Sequence, residues 1–86
     1  MPEYLLELYL SRTQQQAAAE RGVSARAAAE EMTRRGTPIS YRRSFFVPAE
    51  ETFFVLFEAE SADAVRDAAR LADLPDDRVS AAFTQS

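Results

Sequence analysis

The chain of 86 residues contains no cysteine and no histidine. Without thiols it has no disulfide, no thiolate metal site and no cysteine nucleophile. Without imidazole, base catalysis by histidine and histidine-based metal sites are excluded too. Glycine is scarce, at 2 residues, and no GxGxxG, P-loop, GxSxG or paired zinc-knuckle pattern occurs. Basic charge is short as well: 10 Lys and Arg stand against 14 Asp and Glu, a net charge of −4. That balance argues against a general nucleic-acid-binding surface. No apolar run approaches the roughly 20 residues of a membrane span. The N-terminal MPEYLLELYL lacks the basic leader and cleavage site of a signal peptide. The composition reads as one cytoplasmic globular domain over residues 1–86, with neither nucleic acid nor membrane as partner. A chain this short buries only about 60–65% of the surface its unfolded form exposes. With disulfides and the common metal ligands gone, oligomerisation is the reinforcement that remains.

What is present is periodic. Glu3 to Leu10 alternates as a strand, with Leu5, Glu7 and Tyr9 on one side and Tyr4, Leu6, Leu8 and Leu10 on the other. Ser11-Arg12-Thr13 offers cap residues for a helix that runs to about Arg35. The helix carries a face of small residues, Ala18, Gly22, Ala25, Ala28, Ala29 and Met32, suited to lying close against a sheet. Gly22 disfavours a helix interior by about 1 kcal/mol relative to Ala, so a break near Gly22-Val23-Ser24 is expected. Gly36 and Pro38 end the helix.

Ile39 to Val47 reads as a second strand, Pro48 to Glu51 as a solvated turn, and Thr52 to Glu58 as a third strand. Ser61 caps a second helix with Asp63 in its first turn and Val65, Ala68, Ala69 and Ala72 as its buried stripe. Arg78 to Thr84 is the last strand, with Val79, Ala81 and Phe83 on one face. The order β-α-β-β-α-β is the α+β, ferredoxin-like sandwich: a four-stranded antiparallel sheet with both helices on one face.

Helices on one face leave the other bare, yet both strand faces are apolar. Phe53, Val55 and Phe57 alternate with Phe54, Leu56 and Glu58. In the second strand Ile39, Tyr41, Arg43, Phe45 and Val47 alternate with Ser40, Arg42, Ser44 and Phe46. Soluble monomers avoid exposing such a patch. A two-fold homodimer packed sheet on sheet, a dimeric α+β barrel, is therefore expected, with any cavity on the non-helical face.

Charged and hydroxylated residues on these strands are the candidate site. Strict alternation puts Arg43 on the same side as Tyr41, and a guanidinium beside a phenol suits a carboxylate, enolate or phenolate ligand. The alternative is a structural ion pair from Arg43 to Glu7 or Glu58. Arg42 then faces solvent or the interface rim. Glu7, in an apolar strand, is a general base if it lies in a cavity that raises its pKa, and a paired or exposed carboxylate otherwise. Tyr9 shares its side and either donates a hydrogen bond to a ligand or packs in the core. Ser44 and Glu58 complete the ligand-binding candidates. Asp73, Asp76 and Asp77 lack the alternating spacing and central glycine of a calcium loop.

The stretch EYLLELYL, followed by AAAEEMTRRGTPISYRRSFFVPAEETFFVLFEAESADAVRDAARLADLPDDRVSAA, resembles the bacterial domain-of-unknown-function family DUF4242, whose best-described members bind nickel. The resemblance spans nearly the whole chain and is strongest from Gly36 to Ala69. It implies the ferredoxin-like fold and a dimer. Nickel-type relatives carry a histidine in the second strand within a Trp-Val-His-Ser-like stretch, which Tyr41-Arg42-Arg43-Ser44 matches. Arg43 thus stands at the histidine position, and a second histidine of some relatives falls near Ala68. A guanidinium at a ligand position repels a cation.

Three functions compete. The first is a dimeric ligand-binding or interaction module with an anion-accepting cavity and a small-molecule ligand. The second is a cofactor-free enzyme (a monooxygenase, isomerase or cyclase on a small aromatic or polyketide-like substrate), with Arg43 holding an anion, Tyr41 orienting it and Glu7 moving a proton. The third is a nickel-type metal-binding protein, disfavoured because only carboxylates remain as ligands. No cofactor and no metal site are expected.

Overall fold

A computed structural model describes residues 1–85. Seven segments follow in order: β1 (Glu3–Tyr9), α1 (Gln15–Arg34), β2 (Ile39–Val47), a 3-10 turn (Pro48–Glu50), β3 (Thr52–Ala59), α2 (Ala62–Leu71) and β4 (Val79–Ala82). The strands form one sheet in the order β2-β3-β1-β4, and each adjacent pair is antiparallel. This is the ferredoxin-like α+β plan read from the sequence. No helix among the described residues is long and apolar enough to cross a membrane.

The core lies between the sheet and the two helices. From the sheet come Leu6, Leu8, Ile39, Phe53, Val55, Phe57 and Ala59; from the helices come Ala18, Ala25, Ala29, Met32, Val65, Ala68 and Ala69. The sheet supplies the bulk and the helices the small side chains, so helix backbones approach the strands closely. Burying a side chain such as Phe53, Val55 or Phe57 contributes about 1.5–3 kcal/mol each.

Helix α1 is one unbroken element of 20 residues, contrary to the expected break near Gly22. Tertiary packing of the alanine face outweighs the local glycine penalty. The helix starts later than expected, with Gln14 at the N-cap and no side-chain cap. Ser11 and Thr13 hydrogen-bond to each other at 3.1 Å instead, within a turn closed by Gln14 N–H to the Ser11 carbonyl. At the other end Gly36 takes φ 103°, and Thr37 N–H returns to the Met32 carbonyl at 2.9 Å. That left-handed step is one glycine adopts readily. Ser61 caps α2 as expected, accepting from Ala64 N–H at 3.2 Å. Ala72, expected in the buried stripe, is instead the half-buried C-cap.

Two further expectations give way. Glu51 is not merely solvated. It takes a left-handed φ of 49°, its carboxylate accepts from Arg12 N–H at 3.0 Å, and its carbonyl accepts from Leu10 N–H at 2.9 Å. It thereby ties the β2–β3 turn to the β1–α1 loop. Strand β4 stops at Ala82, and Phe83, expected on one face of that strand with Val79 and Ala81, lies beyond it and is 82% exposed.

Candidate functional site

Strand β2 carries the feature that rearranges the expected site. Tyr41 pairs with Phe57, but Arg43 pairs with Leu56, the very next residue of β3. One extra residue, Arg42, therefore sits in β2 as a β-bulge. A one-residue slip moves every later side chain to the opposite face. Ser44 and Phe46 join Ile39 and Tyr41 on the helix side, opposite Val55 and Phe53. Arg43, Phe45 and Val47 face the other way, opposite Leu56, Phe54 and Thr52. The expectation that Tyr41 and Arg43 share a side is overturned, because strict alternation fails at Arg42.

On the helix side, Tyr41 and Ser44 form a hydroxyl pair at 2.6 Å. The Tyr41 ring meets Phe57 edge to face at 6.4 Å and 85°, and the Arg26 guanidinium lies over it at 4.9 Å. Helix α1 crosses this pair at Gly22. A Cβ there would stand 2.9 Å from Ser44 Oγ and 3.6 Å from Tyr41 Oη, so glycine is what permits the crossing.

On the open side, the rows of the sheet are set by pairing. Phe45, Phe54 and Glu7 lie abreast, as do Arg43, Leu56, Leu5 and Ser80. The rings of Phe45 and Phe54 stack at 5.0 Å and 23°. Glu58 pairs with Arg42 at 3.4 Å, not with Arg43. Glu7 pairs with Arg78 at 3.9 Å, a long surface contact, and its side chain is 39% exposed. That is a solvated setting at the sheet surface, not the enclosed apolar cavity expected around a general base. Tyr9 stands at the end of this face and is 70% exposed, so the core alternative for it also fails. Arg43 makes no ion pair among the described residues.

The candidates thus divide. Glu7, Tyr9, Arg43 and Glu58 share the open face; Tyr41 and Ser44 lie on the other side of the sheet. Glu7, Tyr41 and Arg43 do not meet in one cavity. Residues not foreseen from the sequence are Arg26, which lies over Tyr41, and Arg78, the distant surface partner of Glu7. Gly22, expected both to break the helix and to belong to a small face lying close against the sheet, was the available signal for the first: a glycine in an alanine-rich helix face marks a close approach.

No curated protein matches the chain. A crystal structure of SCO4226 from Streptomyces coelicolor A3(2) superposes with a TM-score of 0.63, covering 98% of this chain and 99% of that one at 15% identity. At that identity the likeness establishes the fold alone. The family model for nickel responsive protein SCO4226-like matches residues 5–81, nearly the full length of the sheet and both helices. The chain belongs to the SCO4226-like family.

Proposed function

We propose that this chain is a small dimeric binding module that packs sheet to sheet and holds an anionic small molecule at Arg43. The observation that carries the reading is the open sheet face. Leu5, Phe45, Val47, Phe54 and Leu56 form a contiguous apolar belt there, and Phe45 is 45% exposed. A belt of this kind on a small domain calls for a cover.

Charge favours a second copy as that cover. Arg42 and Arg43 stand on the β2 edge, while Glu3 and Glu7 stand on β1 across the face. A two-fold axis along the strands would lay the arginine edge of one copy over the acidic side of the other, the self-complementarity an isologous interface needs. Arg43 is the cation of this face without a carboxylate of its own among the described residues, which leaves it to anchor an anion.

Nickel responsiveness is the family's description, and the residues of this chain do not fit a side-chain nickel site. The sequence contains no histidine or cysteine. Among the described residues no three Asp or Glu side chains gather into a cation site. Carboxylates alone are poor competitors for a metal that prefers imidazole or thiolate. Enzymatic proton transfer by Glu7, Tyr41 and Arg43 has no shared cavity to occur in.

Sedimentation equilibrium at micromolar concentration tests the module. A dimer mass for the wild type and a monomer mass for Leu56→Arg, with the far-ultraviolet spectrum retained, are expected. A monomeric wild type would remove the interface. Native mass spectrometry then reads a carried-over acidic ligand, expected with the wild type and absent with Arg43→Gln.

A further inference from the structure

The opposite side of β2 presents a second arrangement, independent of the open face. A cleft of about 530 Å³ runs between α1 and β2, with Arg26, Ala29, Glu30, Ile39 and Tyr41 among its walls. A smaller hollow of about 220 Å³ adjoins it at Arg26 and Tyr41 and reaches Gly22 and Ser44. The larger hollow is open to solvent and wide enough to admit a small molecule.

Three features converge where the two hollows meet. All the cationic side chains of the chain are arginines, and most pair with a carboxylate; among the described residues Arg21, Arg26 and Arg43 do not. Glu30, one helical turn beyond Arg26, is not within ion-pairing distance of it. Arg26 instead lies over the Tyr41 ring. Its guanidinium N–H groups make no hydrogen bond or ion pair among the described residues, so their donors are left without a protein partner. The Tyr41–Ser44 pair carries two hydroxyl protons, and their mutual bond uses one. The other is left over beside the hollow. Gly22 keeps that hollow clear of a side chain.

We propose that this cleft binds a small monocarboxylate. Its carboxylate is seated between the guanidinium of Arg26 and the spare hydroxyl proton of the Tyr41–Ser44 pair. A carboxylate matches the planar fork of an arginine. The body of the ligand points out along the cleft past Thr33 and Ser40. Glu30, in the same cleft, disfavours more highly charged anions, so phosphate is discriminated against. The dimer face lies across the sheet, so the two readings stand or fall separately.

Amide chemical shifts of the isotope-labelled protein, titrated with sodium benzoate against sodium chloride at matched ionic strength, test the site. Saturable shifts at Gly22, Val23 and Ser44 are expected in the wild type. Arg26→Gln, at an exposed position, keeps a dispersed spectrum and weakens benzoate about tenfold or more, the worth of a hydrogen bond to a charged group. Tyr41→Phe gives a smaller loss. The absence of saturable shifts at millimolar benzoate would overturn the site, as would equal affinity in Arg26→Gln or shifts centred on Arg43. Inorganic phosphate binding as well as benzoate would overturn the ligand class.

Discussion

On the helix side of β3, Phe53, Val55 and Phe57 are 2%, 0% and 0% exposed. On the other side, Phe54 and Leu56 are half-buried, and Glu58 reaches out to Arg42. The two sets alternate within one strand and both carry large apolar side chains, Glu58 apart, yet one is sealed by helices and the other only shielded by its neighbours. Hydrophobicity alone therefore does not choose the face that helices cover. The choice falls to the pattern of the partners. Helix α1 offers a row of alanines and Gly22, which fit closely over Phe53 and Tyr41, and the charged residues of β1 and β2 take the remaining side.

The most forceful way to break this comparison is truncation on each side. Phe57→Ala empties the sealed face and should cost about 3–5 kcal/mol in chemical denaturation. Phe54→Ala should cost under about 1.5 kcal/mol of that, because its ring is already partly in water, and should act on self-association instead. Equal losses at both positions would mean the open face is not the weaker partner in the monomer.

A smaller effect probes the fit of helix to sheet. Gly22→Ala gains about 1 kcal/mol of helix propensity, but its methyl meets Ser44 Oγ at 2.9 Å, and overpacking costs about 1–3 kcal/mol. A net loss on the order of 1 kcal/mol is expected by denaturant melting. Adding Ser44→Ala should recover most of it, since the two positions couple through one contact. A net gain from Gly22→Ala alone would place the crossing farther from the sheet.

The smallest effect serves as a control outside both faces. Hydrogen bonds from Arg34, and then from Arg35, hold the Glu31 carboxyl below its usual range. A lowered folded-state pKa contributes stability above the unfolded value and loses it as pH falls through the folded one. On an exposed surface that contribution is slight, so the reading is a side-chain titration by nuclear magnetic resonance. Arg34→Gln should move the Glu31 midpoint upward, with no change at Gly22 or Leu56.

Much of the architecture is legible in the sequence, and for identifiable reasons. The alternation of Phe53 to Glu58 marks β3, the 3.6-residue spacing of Ala18 to Met32 marks α1, and Gly36 with Pro38 marks its end. These are local signals, and the packing agrees with each of them. The bulge is a different matter. Phe45 and Phe46 are both aromatic, so the phase of β2 after Arg42 has no hydrophobic marker. The one hint is the pair Arg42-Arg43: two adjacent arginines avoid placing a charge in the core only where alternation is interrupted. Ser11 and Thr13 look like caps because their residue types are right, yet they bond to one another. Phe83 looks like part of a strand whose pairing ends one residue earlier.

Strand β2 is also a border of the sheet. Its nine residues would, if regular, offer an outward row of unpaired peptide groups on which a further chain could crystallise strand by strand. The dislocation at Arg42 twists that row out of line and sets two guanidinium groups beside it, the means by which natural sheets refuse fibrous growth. The same extra residue that divides the candidate site between two faces thus also interrupts the edge on which such stacking would start.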